Sequence, residues 1–164
     1  MRIRSPSAKD RARLVEIIAP PTASPTENPF RPEEVACAIE LLEAVLDPPE
    51  GNTYEARVLV DPTDRPVSYA CFGQTPMTDA TYDLYWLVTA ASARGQGVGR
   101  QLLSAVEAEL CGRQARTVRV ETSSLEGQGG ALRFYERVGY ALAGRIPDFY
   151  RPGDDLLTLI KRLA

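Results

Sequence analysis

The chain has 164 residues, the size of one domain, and 44% hydrophobic with 25% charged residues is enough to build a core. Its 22 acidic and 19 basic residues leave a net charge of −3, which disfavours a protein that binds nucleic acid by neutralising phosphates. There is no histidine, so Ser–His–Asp and Cys–His triads, histidine zinc sites and an imidazole base are excluded; proton transfer falls to carboxylate, tyrosine, cysteine, lysine, backbone or water.

Arg2–Ser5 reads as a short edge strand. Ser7 with Asp10 forms a capping-box pattern that opens a helix through about Ala19, with Leu14, Ile17 and Ile18 on one side. Pro20, Pro21, Pro25, Pro29 and Pro32 break regular structure, and Pro32 suits the first turn of a second helix over 32–47. Tyr54–Val60 and Pro66–Phe72 flank a turn composition at 61–65 and read as an antiparallel hairpin, followed by a loop over Gly73–Thr78. Tyr82–Ala90 reads as a buried strand, Gly95–Leu110 as a helix with a glycine-rich start, and Thr117–Thr122 as a strand. Gly129–Val138 is helical with Gly139 as its C-terminal cap, and two strands, Tyr140–Ile146 and Leu156–Lys161, are joined through 148–154. The alternation implies an α/β domain with a mixed sheet and at least one crossover.

The three cysteines, Cys37, Cys71 and Cys111, form no C-x-x-C pair and are expected to be reduced thiols; no metal site is indicated. The N-terminus has no apolar run behind it and nothing approaches the roughly 20 apolar residues of a membrane span, so the expectation is a soluble, cytoplasmic protein.

The most informative stretch is Ala91–Arg100, with Gly95, Gly97 and Gly99 at alternate positions between a strand and a helix. Closely approachable backbone, free amides and a helix N-terminus make an anion site, reinforced here by Arg94 and Arg100. No lysine follows the last glycine, which disfavours a P-loop, and the third glycine of a dinucleotide fingerprint counted from Gly95 falls on Arg100. A tight turn without ligand stays open on spacing alone.

Arg94-Gly95-Gln96-Gly97-Val98-Gly99 resembles the acetyl-CoA pyrophosphate loop of the GCN5-related N-acetyltransferase (GNAT) superfamily, and Phe134-Tyr135-Glu136-Arg137-Val138-Gly139-Tyr140 resembles its second hallmark. The resemblance is specific over about residues 82–161. It implies a single domain over 1–164: a mixed, mostly antiparallel twisted sheet with a central splayed parallel strand pair and flanking helices. It also implies acetyl-CoA as co-substrate. Leu87, Val88 and Thr89 match the strand end whose backbone pairs with the pantetheine arm, like a missing strand. Arg94, Gly95, Gln96, Gly97, Val98, Gly99 and Arg100 match the diphosphate loop. Gln128 stands where many relatives have asparagine.

Tyr135 matches the general acid that protonates the leaving thiolate, a role suited to a phenol of pKa about 10; otherwise it belongs to the apolar stripe of its helix. Two carboxylates match positions of the general base in different branches, Glu121 and Asp83, and a water relay is the third option. Alternation turns Glu121 away from Val118 and Val120. The acceptor mouth is expected from the Pro20–Pro32 loop with Phe30, and from the last hairpin with Phe149 and Tyr150. Asp148, Asp154, Asp155 and Glu50 are candidates for favouring a cationic amine, with Tyr82, Tyr85 and Trp86 as an aromatic wall. The implied reaction is direct acetyl transfer to a primary amine of a small molecule or peptide. A non-catalytic acyl-CoA-binding module, or a transferase for a longer acyl group, are the alternatives. Neither nucleic acid nor membrane is an expected partner; a homodimer stays open.

Overall fold

The computed structural model describes residues 1–21, 30–125 and 130–164. Arg2–Arg4 (β1) lies antiparallel at the edge of Tyr54–Val60 (β2). Between them, a tight turn at Ala8–Asp10 leads into Arg11–Ile18 (α1), and Pro32–Leu46 forms α2. The first start follows the sequence pattern, Asp10 accepting the Ser7 amide at 2.8 Å; at the second, Pro32 stands in the first turn as expected and Glu34 adds a cap by accepting the Arg31 amide at 2.7 Å. β2 and Pro66–Gln74 (β3) make the hairpin. β3 runs two residues past the expected end because Gly73 lies flush against Thr53, where a Cβ would fall 2.8 Å from the Thr53 carbonyl oxygen.

Thr81–Thr89 (β4), Val98–Gly112 (α3) and Thr117–Ser123 (β5) form the crossover, and Ala131–Arg137 (α4) follows. α3 starts three residues later than expected, because Gly95 and Gly97 hold positive φ (+74° and +75°) and so lie outside the helix. Gly139 ends α4 at φ +94°, as its cap position demands. Ala141–Arg151 (β6) and Asp154–Arg162 (β7) form a long hairpin closed by Pro152-Gly153. The expected loop over 148–154 is therefore mostly strand. Asp155 explains it: its carboxylate accepts the Asp148 amide at 2.8 Å and pairs with Arg145, holding an irregular stretch of β6 against β7.

The seven strands form one sheet in the order β1-β2-β3-β4-β5-β7-β6, with β4 and β5 parallel and all other neighbours antiparallel. α1 and α2 cover one face through Leu14, Ile17, Ala38 and Leu42 against Val58, Tyr69 and Val88. α3 and α4 cover the other through Val98, Leu102, Val106 and Tyr135 against Phe72, Leu84 and Val120. This is the α/β fold with the expected parallel pair at its centre.

Candidate active site

β4 and β5 share only three rungs, Thr81↔Thr117, Tyr82↔Val118 and Asp83↔Arg119. Beyond Asp83 the two strands part, β4 staying on β3 and β5 on β7. A bulge accompanies the parting: Cys71 faces Trp86 and Phe72 faces Leu84, so Tyr85 is the extra residue. It places the consecutive side chains Tyr85 and Trp86 on the α2 face, while Leu84 and Leu87 pack on the α3 face. Further along β4, Val88 accepts the Ser68 hydroxyl at 3.0 Å and the Ala90 amide donates to Val67 at 2.9 Å. Alternation then turns the main-chain groups of Leu87 and Thr89 into the gap, and those of Val88 toward β3. The Thr89 carbonyl meets Arg94 Nε at 3.2 Å.

At the wide end of the gap lies the glycine turn. Among the described residues, the amides from Gly95 to Arg100 have no backbone acceptor; the first α3 bond is Gln101 to Gly97 at 2.9 Å. At Gly99 the constraint is contact rather than φ, since a Cβ would stand 3.2 Å from Thr89 Oγ1 and 4.0 Å from the Phe134 ring. Gln96 Nε2 is tied to the Ser92 carbonyl at 3.0 Å, and Val98 is buried in the core. Free amides, a helix start and the exposed Arg94 and Arg100 fit a diphosphate. Gln128 lies outside the described residues.

A cleft of about 1020 Å³ runs from this turn through the gap to the α2 face. Tyr135 lines it from the α3–α4 side, 7% exposed, wedged edge-on between the rings of Phe134 and Tyr140 at 5.2 and 5.3 Å. Burial alone raises its pKa, so the phenol stays protonated.

On the α2 face Asp83, Arg119 and Glu121 meet. Asp83 is buried with both oxygens engaged, Oδ1 by Arg119 Nε at 2.6 Å and Oδ2 by the Thr75 hydroxyl at 2.9 Å. Glu121 is exposed, and its nearest cation is Arg119 Nη1 at 3.6 Å. Trp86 meets Phe30 edge-on at 5.2 Å. Tyr150 reaches the cleft from β6 with the Arg31 guanidinium 5.2 Å over its ring. Burial, then the negative charges of Glu121, Glu34 and Asp154, push the Tyr150 phenol up.

Several expectations for the acceptor mouth need correction. Asp154 and Asp155 are buried structural groups: Asp154 accepts the Ser123 hydroxyl and pairs with Arg151, and Asp155 pairs with Arg145. Asp148 caps the hairpin turn by accepting the Gly153 amide at 2.7 Å, and Glu50 is not in the cleft. Tyr82 packs against the α3-side core, and Phe149 is exposed outside the cleft. The acids at the mouth are instead Glu33 and Glu34 of α2. Arg119 shares a strand face with Glu121 and was readable by alternation; Phe30, Tyr85, Trp86 and Tyr150 line the cleft as expected, whereas Glu33 and Glu34 were not singled out. Cys71 is buried, which pushes its thiol up to about 12, unsuited to a nucleophile. Among the described residues no cluster of three candidate metal ligands occurs, and no helix is long and apolar enough to cross a membrane.

The acetyltransferase (GNAT) domain family matches residues 49–142. A blasticidin-S acetyltransferase of Streptomyces morookaense is 40% identical over 87 residues, 49% of this chain and 55% of that protein, so the match spans about half the relative's length. A solved structure from Desulfovibrio desulfuricans, assigned to the GNAT family, is 30% identical over 99% of both chains with a TM-score of 0.87. An aminoglycoside 6′-N-acetyltransferase in complex with coenzyme A covers 100% of this chain and 98% of its own at a TM-score of 0.73, but at 18% identity it speaks for the fold alone. With the family's domain matched over more than half its length, on the splayed fold, the chain belongs to the GNAT acetyltransferases.

Proposed function

We propose that this protein transfers an acetyl group from acetyl-CoA directly to a primary amine, of a small molecule or a peptide, with Tyr135 as general acid and Glu121, alone or through water, as the base. The observation that carries this reading is that Tyr135 and Glu121 line one continuous cleft from opposite faces of the sheet. A thioester lying in the β4–β5 gap would have its sulfur toward one and its carbonyl carbon open to an amine on the side of the other.

Each residue then has a task. The amides of Gly95 to Arg100 and the side chains of Arg94 and Arg100 hold the diphosphate. The gap-facing backbone of Leu87 and Thr89 pairs with the pantetheine arm, while Val88 anchors the strand to β3. Glu121 takes a proton from the incoming ammonium, freeing the lone pair that bonds to the carbonyl carbon. As the carbon–sulfur bond breaks, Tyr135, kept protonated by its burial, gives its proton to the thiolate. Asp83, with both oxygens engaged, holds Arg119 instead of moving protons.

Thiol release from acetyl-CoA over a library of amines and peptides tests the reading, with calorimetric CoA binding alongside. Acetylated product is expected. CoA binding with no product from any amine would instead establish a non-catalytic acyl-CoA module, and tighter use of succinyl-CoA than acetyl-CoA a longer-chain transferase. A small-molecule acceptor is favoured by the 40% identity to a blasticidin-S acetyltransferase over about half of that protein.

A further inference from the structure

The acceptor half of the cleft is bridged from both sides. The α2 start supplies Arg31, whose guanidinium stacks 5.2 Å over the Tyr150 ring of β6. Arg31 is itself fixed, its amide bonded to Glu34 Oε2 at 2.7 Å and its Nε 3.6 Å from the same atom. That contact ties the start of α2 to the far edge of the sheet across the mouth. Trp86 and Phe30, an edge-on aromatic pair at 5.2 Å, line the same cleft. Glu33 also lines this space, and no ion pair engages it among the described residues.

We propose that the Arg31–Tyr150 bridge is a specificity element: it closes the acceptor site into a pocket that admits compact amines and rejects extended polypeptides, and Glu33 gives that pocket a preference for an acceptor with a second positive charge. The inference rests on the proposed use of this half of the cleft for the amine. An extended peptide would need an open channel between α2 and β6, and the stacked pair occupies that line. A flat cationic acceptor gains from that aromatic pair and from the unpaired carboxylate. Glu34 is already committed to Arg31, which leaves Glu33 as the side chain for the second charge.

Binding to the CoA-saturated protein is the readout, so that acceptor recognition is scored apart from turnover. The probes are para-xylylenediamine, its single-charge analogue para-methylbenzylamine, and a hexapeptide with a free N-terminal alanine. The diamine is expected to bind about tenfold more tightly than the monoamine, and the hexapeptide not to bind. Glu33→Gln should erase the difference between the two amines while leaving the monoamine unchanged. Tyr150→Ala combined with Arg31→Ala should let the hexapeptide bind, whereas Tyr150→Phe, which keeps the ring, should not. Equal affinity of the wild type for hexapeptide and diamine, or a Glu33→Gln loss shared by both amines, would overturn the inference. Selective binding without acetylation would uphold it and remove the catalytic reading. Circular dichroism of the double variant guards against misfolding; if that variant unfolds, the wild-type peptide comparison and Glu33→Gln decide.

Discussion

Arg119 donates to Asp83 at 2.6 Å across the last rung that β4 and β5 share, so the point where the sheet opens is pinned by an ion pair. The Asp83 side chain is 10% exposed and that of Arg119 is 38% exposed. Asp83→Asn keeps the shape and the Thr75 contact but removes the charge. It should lower stability by about 1.5 kcal/mol in urea unfolding, the low end for a hydrogen bond between charged groups because Arg119 is partly solvated. Turnover should stay within about threefold of wild type, because the base is assigned elsewhere. A loss of about a hundredfold with normal CoA affinity would instead make Asp83 the base.

Glu121 carries the opposite expectation. It is exposed and, among the described residues, no hydrogen bond depends on it, so Glu121→Gln should leave the melting temperature nearly unchanged. Turnover with a protonated amine should fall by about a hundredfold, within the usual range for a general base. The defect should shrink as pH rises toward the pKa of the amine, since an amine already deprotonated needs no base. A pH-independent defect would point to binding, and an unchanged rate to water as the sole relay.

The glycine turn separates strain from contact. Gly97→Ala forces a side chain to φ +75°, which costs about 1–2 kcal/mol, with nothing within 4 Å of the new Cβ. Gly99→Ala is helical and unstrained but pushes on Thr89 Oγ1, beside the backbone assigned to the pantetheine arm. The first should chiefly lower thermal stability. The second should chiefly weaken CoA binding, by about tenfold in calorimetry.

Asp10 predicts a pH dependence. Arg4 holds its carboxyl well below the usual range through hydrogen bonds at 2.7 and 2.9 Å, helped by the Ser7 amide. A carboxyl whose pKa is lowered on folding gives stability above the unfolded value of about 3.9, and that stability is lost as pH falls through the folded value. Arg4→Met should therefore cost about 2 kcal/mol near neutral pH. The gap to wild type should narrow steadily in urea unfolding below about pH 4. A gap that is constant with pH would mean that packing of the arginine stem, rather than the ion pair, is what was lost.

Where local chemistry sets the outcome, the sequence was enough. Ser7-x-x-Asp10, Pro32 and Gly139 each act within a few residues, and the elements they bound stand where expected, while the alternate glycines mark the turn but delay α3 by three residues. Tyr135 and the glycine turn were put in one site by the resemblance of the two hallmarks and not by local chemistry, and both line the cleft. What failed depended on distant partners. Asp154 and Asp155 read as surface acids because nothing local reveals Ser123, Arg151 and Arg145 around them. The bulge at Tyr85 is a mismatch between two strands, invisible in either alone, yet it puts Trp86 beside Tyr85 at the mouth, where strict alternation would have sent it to the core face of Tyr82.

Tyr135 offers the sharpest test of the chemistry. Its ring fills the core between Phe134 and Tyr140, while burial is the sole cause raising its pKa and no hydrogen bond contributes. Tyr135→Phe therefore removes an oxygen that holds nothing in place, and stability should be kept or slightly raised. CoA affinity should be unchanged. Turnover should fall by about ten- to a thousandfold if the hydroxyl protonates the leaving thiolate. The pH profile adds a second reading. A phenol with a pKa above its ordinary value of about 10 remains a proton donor through neutral and mildly alkaline pH, so it gives no falling limb there. With no histidine in the chain, an inflection near neutrality in the wild type comes from a carboxylate, a cysteine, the α-amino group, a phosphate of the cofactor or the acceptor amine, and it should survive in Tyr135→Phe. An inflection that disappears with the hydroxyl would show Tyr135 ionising in that range and would sink its assignment as a neutral acid.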